Sequence, residues 1–164
     1  MIRRTTLVLI VLAGLLTVVV GIAFGTPSSP LTVEQARGPL VDRPLDVSMD
    51  FENGSEVELR TKGPIDVAVQ RIAVDPGETF GWHSHPGPTI VTVKSGTLTL
   101  YHDENCSHGI NYSAGQSFSN LPHEIHLARN NGATELVIFA SYFVPSATGG
   151  LRIDQPSPGG GCPQ

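Results

Sequence analysis

A chain of 164 residues with 10 basic and 15 acidic side chains carries a formal charge of −5 with histidine neutral, and is long enough for one domain with its own core. Lys and Arg are scattered along it, and no cluster supplies the positive surface that a phosphate backbone needs, so DNA and RNA are excluded as partners.

The first residues stand apart from the rest. Arg3 and Arg4 precede an apolar run from Leu7 to Phe24, and Ala23-Phe24-Gly25 sets small residues at the two positions a signal peptidase reads. Residues 1–25 are therefore expected to be a signal peptide or an N-terminal membrane anchor, with cleavage after Gly25 favoured. Basic residues before the run hold its start on the inside and send the remainder of the chain across the membrane. The domain is expected to be secreted, periplasmic or at the cell surface, touching the membrane only through this segment. Without Arg3 and Arg4 the balance is 8 basic against 15 acidic residues, a charge of −7. Residues 26–44 read as an extended linker.

From Leu45 onward short β-branched and aromatic runs alternate with turn residues, and no helical periodicity competes. Strands are predicted near 47–52, 57–61, 65–74, 79–85, 89–94, 97–102, 110–112, 124–130 and 135–144. Asn53-Gly54, Asp75-Pro76-Gly77 and Ser95-Gly96 carry turn chemistry between them. The fold class is all-β, a sandwich or barrel over residues 45–148, and a jelly roll is the member with room for an internal site. Residues 149–164, rich in Pro and Gly, read as a C-terminal tail. Cys106 and Cys162 are expected to pair, since both lie in the exported part. Such a bridge would close a 56-residue loop and contribute about 4 kcal/mol in the chain-entropy model.

The chemistry-bearing stretch begins at Gly77-Glu78-Thr79-Phe80-Gly81-Trp82-His83-Ser84-His85. On a strand His83 and His85 share a face, and His126 on a second strand completes a set of three imidazoles, the commonest ligand for transition metals. Glu124, two residues before His126, is placed on the same face by strand parity. It is read either as a fourth ligand or as a group that orients His126 or a metal-bound water. His102 and His108 read as surface residues and His123 as turned away from the site. Trp82 faces outward, and Tyr101, Tyr112 and Tyr142 remain as groups able to approach the site.

The spacing of these residues resembles the cupin family. Its first motif has Gly, five residues, His-x-His, a Glu three or four residues on, and a Gly after six more; Gly77, His83, His85 and Gly96 answer to it. Gly115, Pro122, His126 and Asn130 answer to the second motif, which begins after a gap of 18 residues. Thr89 stands where the family has a metal-binding Glu, Glu124 stands near the turn Gly, and the Pro-to-His spacing is one residue short.

The resemblance implies a single-domain jelly-roll barrel with a divalent metal inside, and Fe, Zn, Mn, Cu and Ni all suit imidazole ligands. Three His without the Glu is similar to the thiol dioxygenases among cupins, which implies an exported, metal-dependent, dioxygenase-like oxidoreductase acting on a small molecule. The alternative is a non-catalytic module that binds a small molecule or anion, or a barrel whose metal site has decayed. Whether the chain is an enzyme, and whether it forms a homodimer, stays open at this point.

Overall fold

A computed structural model of the protein describes residues 31–41, 44–103, 106–159 and 162–163. The leader and cleavage expectations on residues 1–25 lie outside them. Among the described residues no helix is long and apolar enough to cross a membrane.

The chain runs through β1 (Thr32–Pro39), β2 (Asp46–Asp50), β3 (Glu56–Arg60), β4 (Ile65–Val74), β5 (Thr79–Ser84) and β6 (Thr89–Ser95). It continues through β7 (Thr97–His102), β8 (Ile110–Ser113), β9 (Ser117–Asn120), β10 (His126–Arg129), β11 (Leu136–Pro145) and β12 (Ile153–Asp154). One antiparallel sheet has the order β1-β4-β11-β6-β9 and a second β12-β5-β10-β7-β8, while β2 and β3 form a separate hairpin. Two sheets face to face around one core make a jelly-roll barrel.

Alternation explains which side chains fill it. In β6, Thr89, Val91 and Val93 are buried and Ile90, Thr92 and Lys94 are exposed, the period-two signature of a sheet with one wet face. β4 and β11 turn Ala68, Ile72 and Val74, and Ile138, Ala140, Tyr142 and Val144, into the same core. Leu98, Leu100 and Ala128 meet them from the opposite sheet.

Three strands had no counterpart in the sequence reading. Residues 32–39, read as linker, pair with β4 from Thr32 opposite Ala73 to Pro39 opposite Asp66. Most of β1 is exposed, so it carries no apolar alternation to betray it. Its hold on the barrel is the backbone ladder together with side-chain contacts, among them an Arg37 Nε to Asp66 Oδ2 pair at 2.7 Å and a Gln70 amide donating to Gln35 Oε1 at 2.6 Å. β9 is only Ser-Phe-Ser-Asn, and β12 is two residues within the segment read as tail.

That tail is held down, as the cysteine count implied. Cys106 and Cys162 form a disulfide with Cα atoms 5.1 Å apart, within the range that disulfides span. Cys162 is buried against Trp82 and Leu127 in a small apolar cluster, and the Trp82 indole donates to the Pro163 carbonyl at 2.8 Å. The outward-facing Trp82 is thus capped by the C-terminal segment.

Candidate metal centre

The position of the first two histidines depends on a fault in β5. Trp82 pairs with Leu127 and Thr79 with Arg129, so β5 has one residue more than β10 across this stretch. Gly81 takes up the excess with φ +68°, a left-handed conformation that costs a glycine little. Its amide bonds to the Thr79 hydroxyl at 3.0 Å. The bulge breaks parity. Phe80 joins the barrel core, whereas Trp82, two residues on, faces the outer cluster. His83 and His85 then point inward, with the Phe80 and His83 rings 6.3 Å apart.

His126 stands opposite His83 in the β5–β10 register, so the two rings share a face, with centroids 4.4 Å apart. His85 closes the triangle at 4.9 Å from His83 and 5.1 Å from His126. One ligand nitrogen from each ring lies within 4.8 Å of the others, and all three residues are buried.

The main chain fixes which nitrogen that is. His83 Nδ1 lies 2.8 Å from the Gly81 carbonyl, His85 Nδ1 2.7 Å from that of Leu151, and His126 Nδ1 2.9 Å from that of Glu124. A carbonyl can only accept, so each Nδ1 carries the proton and donates, and each Nε2 keeps its lone pair. Metal-binding histidines are held in this manner, by a partner on the far nitrogen.

Burial also keeps the rings neutral. Desolvation, reinforced by the neighbouring His126 and Arg152, holds His83 well below its ordinary pKa. His85 is lowered chiefly by burial, and His126 is brought by burial, with His85 beside it, to about 3.

The centre opens on two cavities. An internal space of about 30 Å³ is bounded by His83, His85, His126, Thr89 and Asn120 among others, enough for an ion and little more. An outer cavity of about 300 Å³ shares His83, His85 and Tyr142 with it, and its rim includes Gln35, Arg37 and Arg152. The donor set of three neutral imidazoles, oriented and buried, fits a divalent transition metal.

Residues 70–142, which span this barrel and all three histidines, match the family model of the cupin domain. Over these residues the chain is a cupin domain. No curated protein matches it. Among solved structures it is similar to an oxalate oxidase, 26% identical over 51% of this chain and 44% of the other, with a TM-score of 0.44. A cupin domain from Bordetella pertussis Tohama I is 25% identical over 47% of this chain and 80% of its own, with a TM-score of 0.41. An oxalate decarboxylase from Bacillus subtilis is 24% identical over 46% of this chain and 21% of its own, with a TM-score of 0.42. The chain thus spans less than half the length of the oxalate enzymes it matches.

Within this cupin barrel the other expected residues take separate places. Glu124 stands outside the histidine triangle, in the turn before β10, where strand parity does not apply. Its carboxylate accepts the Leu121 amide at 2.8 Å and lies 3.3 Å from His102 Nδ1, while its carbonyl orients His126. His102 is therefore nearer the site than its place by a turn suggested, opposite His126 on β7. His123 lies in that turn with φ 62°. Asn130, the last residue of the second motif, is structural: its buried amide donates to the Val74 and Thr134 carbonyls and accepts the Gly132 amide. Tyr142 is the tyrosine that reaches the site, its ring 5.3 Å from His85 and its hydroxyl donating to Gln70 at 2.9 Å. Burial pushes its pKa up to about 12, so it is a neutral phenol.

Sequence reasoning missed Arg152 and the Leu151 carbonyl. Both sit in the segment read as tail, and a carbonyl carries no residue signature. Arg152 pairs with Asp154 at 2.5 Å through Nε, while its buried Nη2 has no hydrogen-bond partner among the described residues.

Proposed function

We propose that the protein is an exported cupin that holds a divalent transition metal through Nε2 of His83, His85 and His126 and presents it to a small anionic ligand in the outer cavity. The observation that carries this reading is the set of three Nδ1–H bonds to main-chain carbonyls, which turns three lone pairs toward one point. Export is supported by the basic and apolar leader pattern and by the Cys106–Cys162 bridge, which suits an oxidising compartment.

Three neutral ligands leave the metal's charge uncompensated, and no Asp or Glu among the described residues lines either cavity. Arg152, ion-paired with Asp154 through Nε, stands at the rim, and its Nη2 has no hydrogen-bond partner among the described residues and is left to meet an anion. Such a site favours a carboxylate, thiolate or phenolate. A bound metal of this kind would supply an open coordination face for that anion and for dioxygen. The chain's part is to hold the rings neutral, to aim Arg152 at the anion, and to limit entry to the outer cavity. The dioxygenase-like reading uses this arrangement with Fe(II). The binding-module reading is favoured by a lining with no carboxylate to act as a base.

Oxygen uptake by the metal-loaded protein, screened with small thiols, phenols and carboxylates, separates the two. Uptake that needs the metal and falls at least tenfold in Arg152→Gln supports the oxidoreductase. Anion binding that weakens in Arg152→Gln without oxygen uptake leaves the binding module. Anion affinity that is the same in both proteins would contradict the ligand class.

A further inference from the structure

Two buried polar atoms of the inner cavity have no hydrogen-bond partner among the described residues: Asn120 Oδ1 and Thr89 Oγ1. Asn120 is 2% exposed and Thr89 fully buried. A buried polar atom left unpaired costs about 1–3 kcal/mol, so a pair of them in one small cavity calls for an occupant. Neither belongs to the histidine triangle or to the family motif, except that Thr89 stands where the motif has its Glu.

The two are register partners across β6 and β9, so their side chains share the barrel's inner face. β6 and β9 belong to one sheet, and β5 and β10, which carry the imidazoles, belong to the other. Asn120 therefore approaches the triangle from the opposite wall. Its Nδ2 lies 3.4 Å from His126 Nε2, the nitrogen whose lone pair faces the centre. Neighbouring ligands bound at about 2.1 Å stand about 3.0 Å apart in an octahedral set, which leaves positions open for an anion, and about 3.4 Å apart in a tetrahedral one, so the amide is already near ligand distance.

We propose that Asn120 Oδ1 is the fourth protein ligand of the metal, taking from the facing sheet the place that the family's Glu leaves at Thr89. The proposal rests on the three-histidine centre. Without a metal the amide turns its NH₂ to the His126 lone pair, because an oxygen there would meet another acceptor. With a cation between them the amide reverses: Oδ1 faces the metal, and Nδ2 turns toward the Thr89 hydroxyl, which can accept it. One half-turn satisfies both orphaned atoms. A neutral carbonyl in place of a carboxylate also keeps the full metal charge available to an anionic ligand.

Co(II) titration of the full mature protein tests this, with affinity read by competition and coordination by the visible absorption spectrum. Asn120→Leu should weaken Co(II) binding by roughly tenfold or more and shift the spectrum, since a ligand is lost. Asn120→Asp keeps the shape, adds charge, and should tighten binding. If Asn120 serves only as a hydrogen-bond donor to His126, removing it frees the lone pair, so unchanged or tighter binding in Asn120→Leu overturns the proposal. Wild-type protein that takes up no Co(II) would sink the three-histidine reading as well; wild-type uptake with an indifferent Asn120→Leu sinks this inference alone.

Discussion

His126 illustrates how much of the chemistry resides in single side chains. A free imidazole takes up a proton near pH 6.5, but this ring is held neutral to about pH 3 by burial. Protons therefore compete with a metal less than the residue type implies, and affinity should fall only modestly between pH 7 and pH 5. The same shift carries a cost for the metal-free protein. A base whose folded pKa is depressed binds protons in the unfolded chain first, so stability declines as pH falls from 6.5 toward 3. By pH 5 the loss amounts to about 2 kcal/mol for each ring that stays neutral. Urea unfolding of metal-free protein at pH 7 and pH 5 should show His126→Gln losing less stability over that interval than wild type. Equal losses would mean that the ring is not buried neutral. The histidines themselves were legible in the sequence because His-x-His at strand spacing and a third His in a second motif are residue patterns. Their orientation was not, because Gly81, Leu151 and Glu124 contribute carbonyls, which every residue has.

Among the elements, β5 shows why alternation alone misleads. Strict parity would set Phe80 and Trp82 on one face, yet they occupy different clusters because Gly81 inserts a bulge between them. The sequence reading placed Trp82 outside and His83 inside correctly, since both lie beyond the bulge, but nothing in Gly81 as a letter announced its left-handed φ. Gly81→Ala forces a side chain into that region at about 1–2 kcal/mol. It should also loosen the histidine triangle, because the carbonyl that orients His83 belongs to the same residue. A thermal melt lowered by several degrees together with at least tenfold weaker Co(II) binding is the expected result. A melt that falls while metal affinity holds would show the bulge to be a packing feature only. β1, β9 and β12 stayed hidden for a different reason: each is exposed or very short, and is recognised by its partner's backbone rather than by its own composition.

At the scale of the whole barrel, the centre is assembled from pieces distant in sequence. β5 and β10 bring the imidazoles from one sheet, and β6 and β9 bring Thr89 and Asn120 from the other. The segment after β11 bonds back to the barrel through Arg37, which reaches Asp66 and the Thr148 and Gly149 carbonyls. It then supplies the Leu151 carbonyl and Arg152 to the site, and the Cys106–Cys162 bridge secures the chain beyond them. The jelly roll could be read from turn spacing and the two motifs. The reach of the C-terminal segment into the site could not, because its Pro and Gly content suggested only irregular backbone. The most direct test is the metal content per chain of wild-type protein and of His83→Ala, His85→Ala and His126→Ala, each dialysed against Fe(II), Zn, Mn, Cu or Ni at pH 7. A three-histidine centre predicts one tightly held ion in wild type for at least one of these metals, and a loss in each variant well beyond the roughly 10- to 100-fold expected from removing an orienting partner. Wild-type protein that stays metal-free under all five conditions, or His variants that retain the ion, would contradict it.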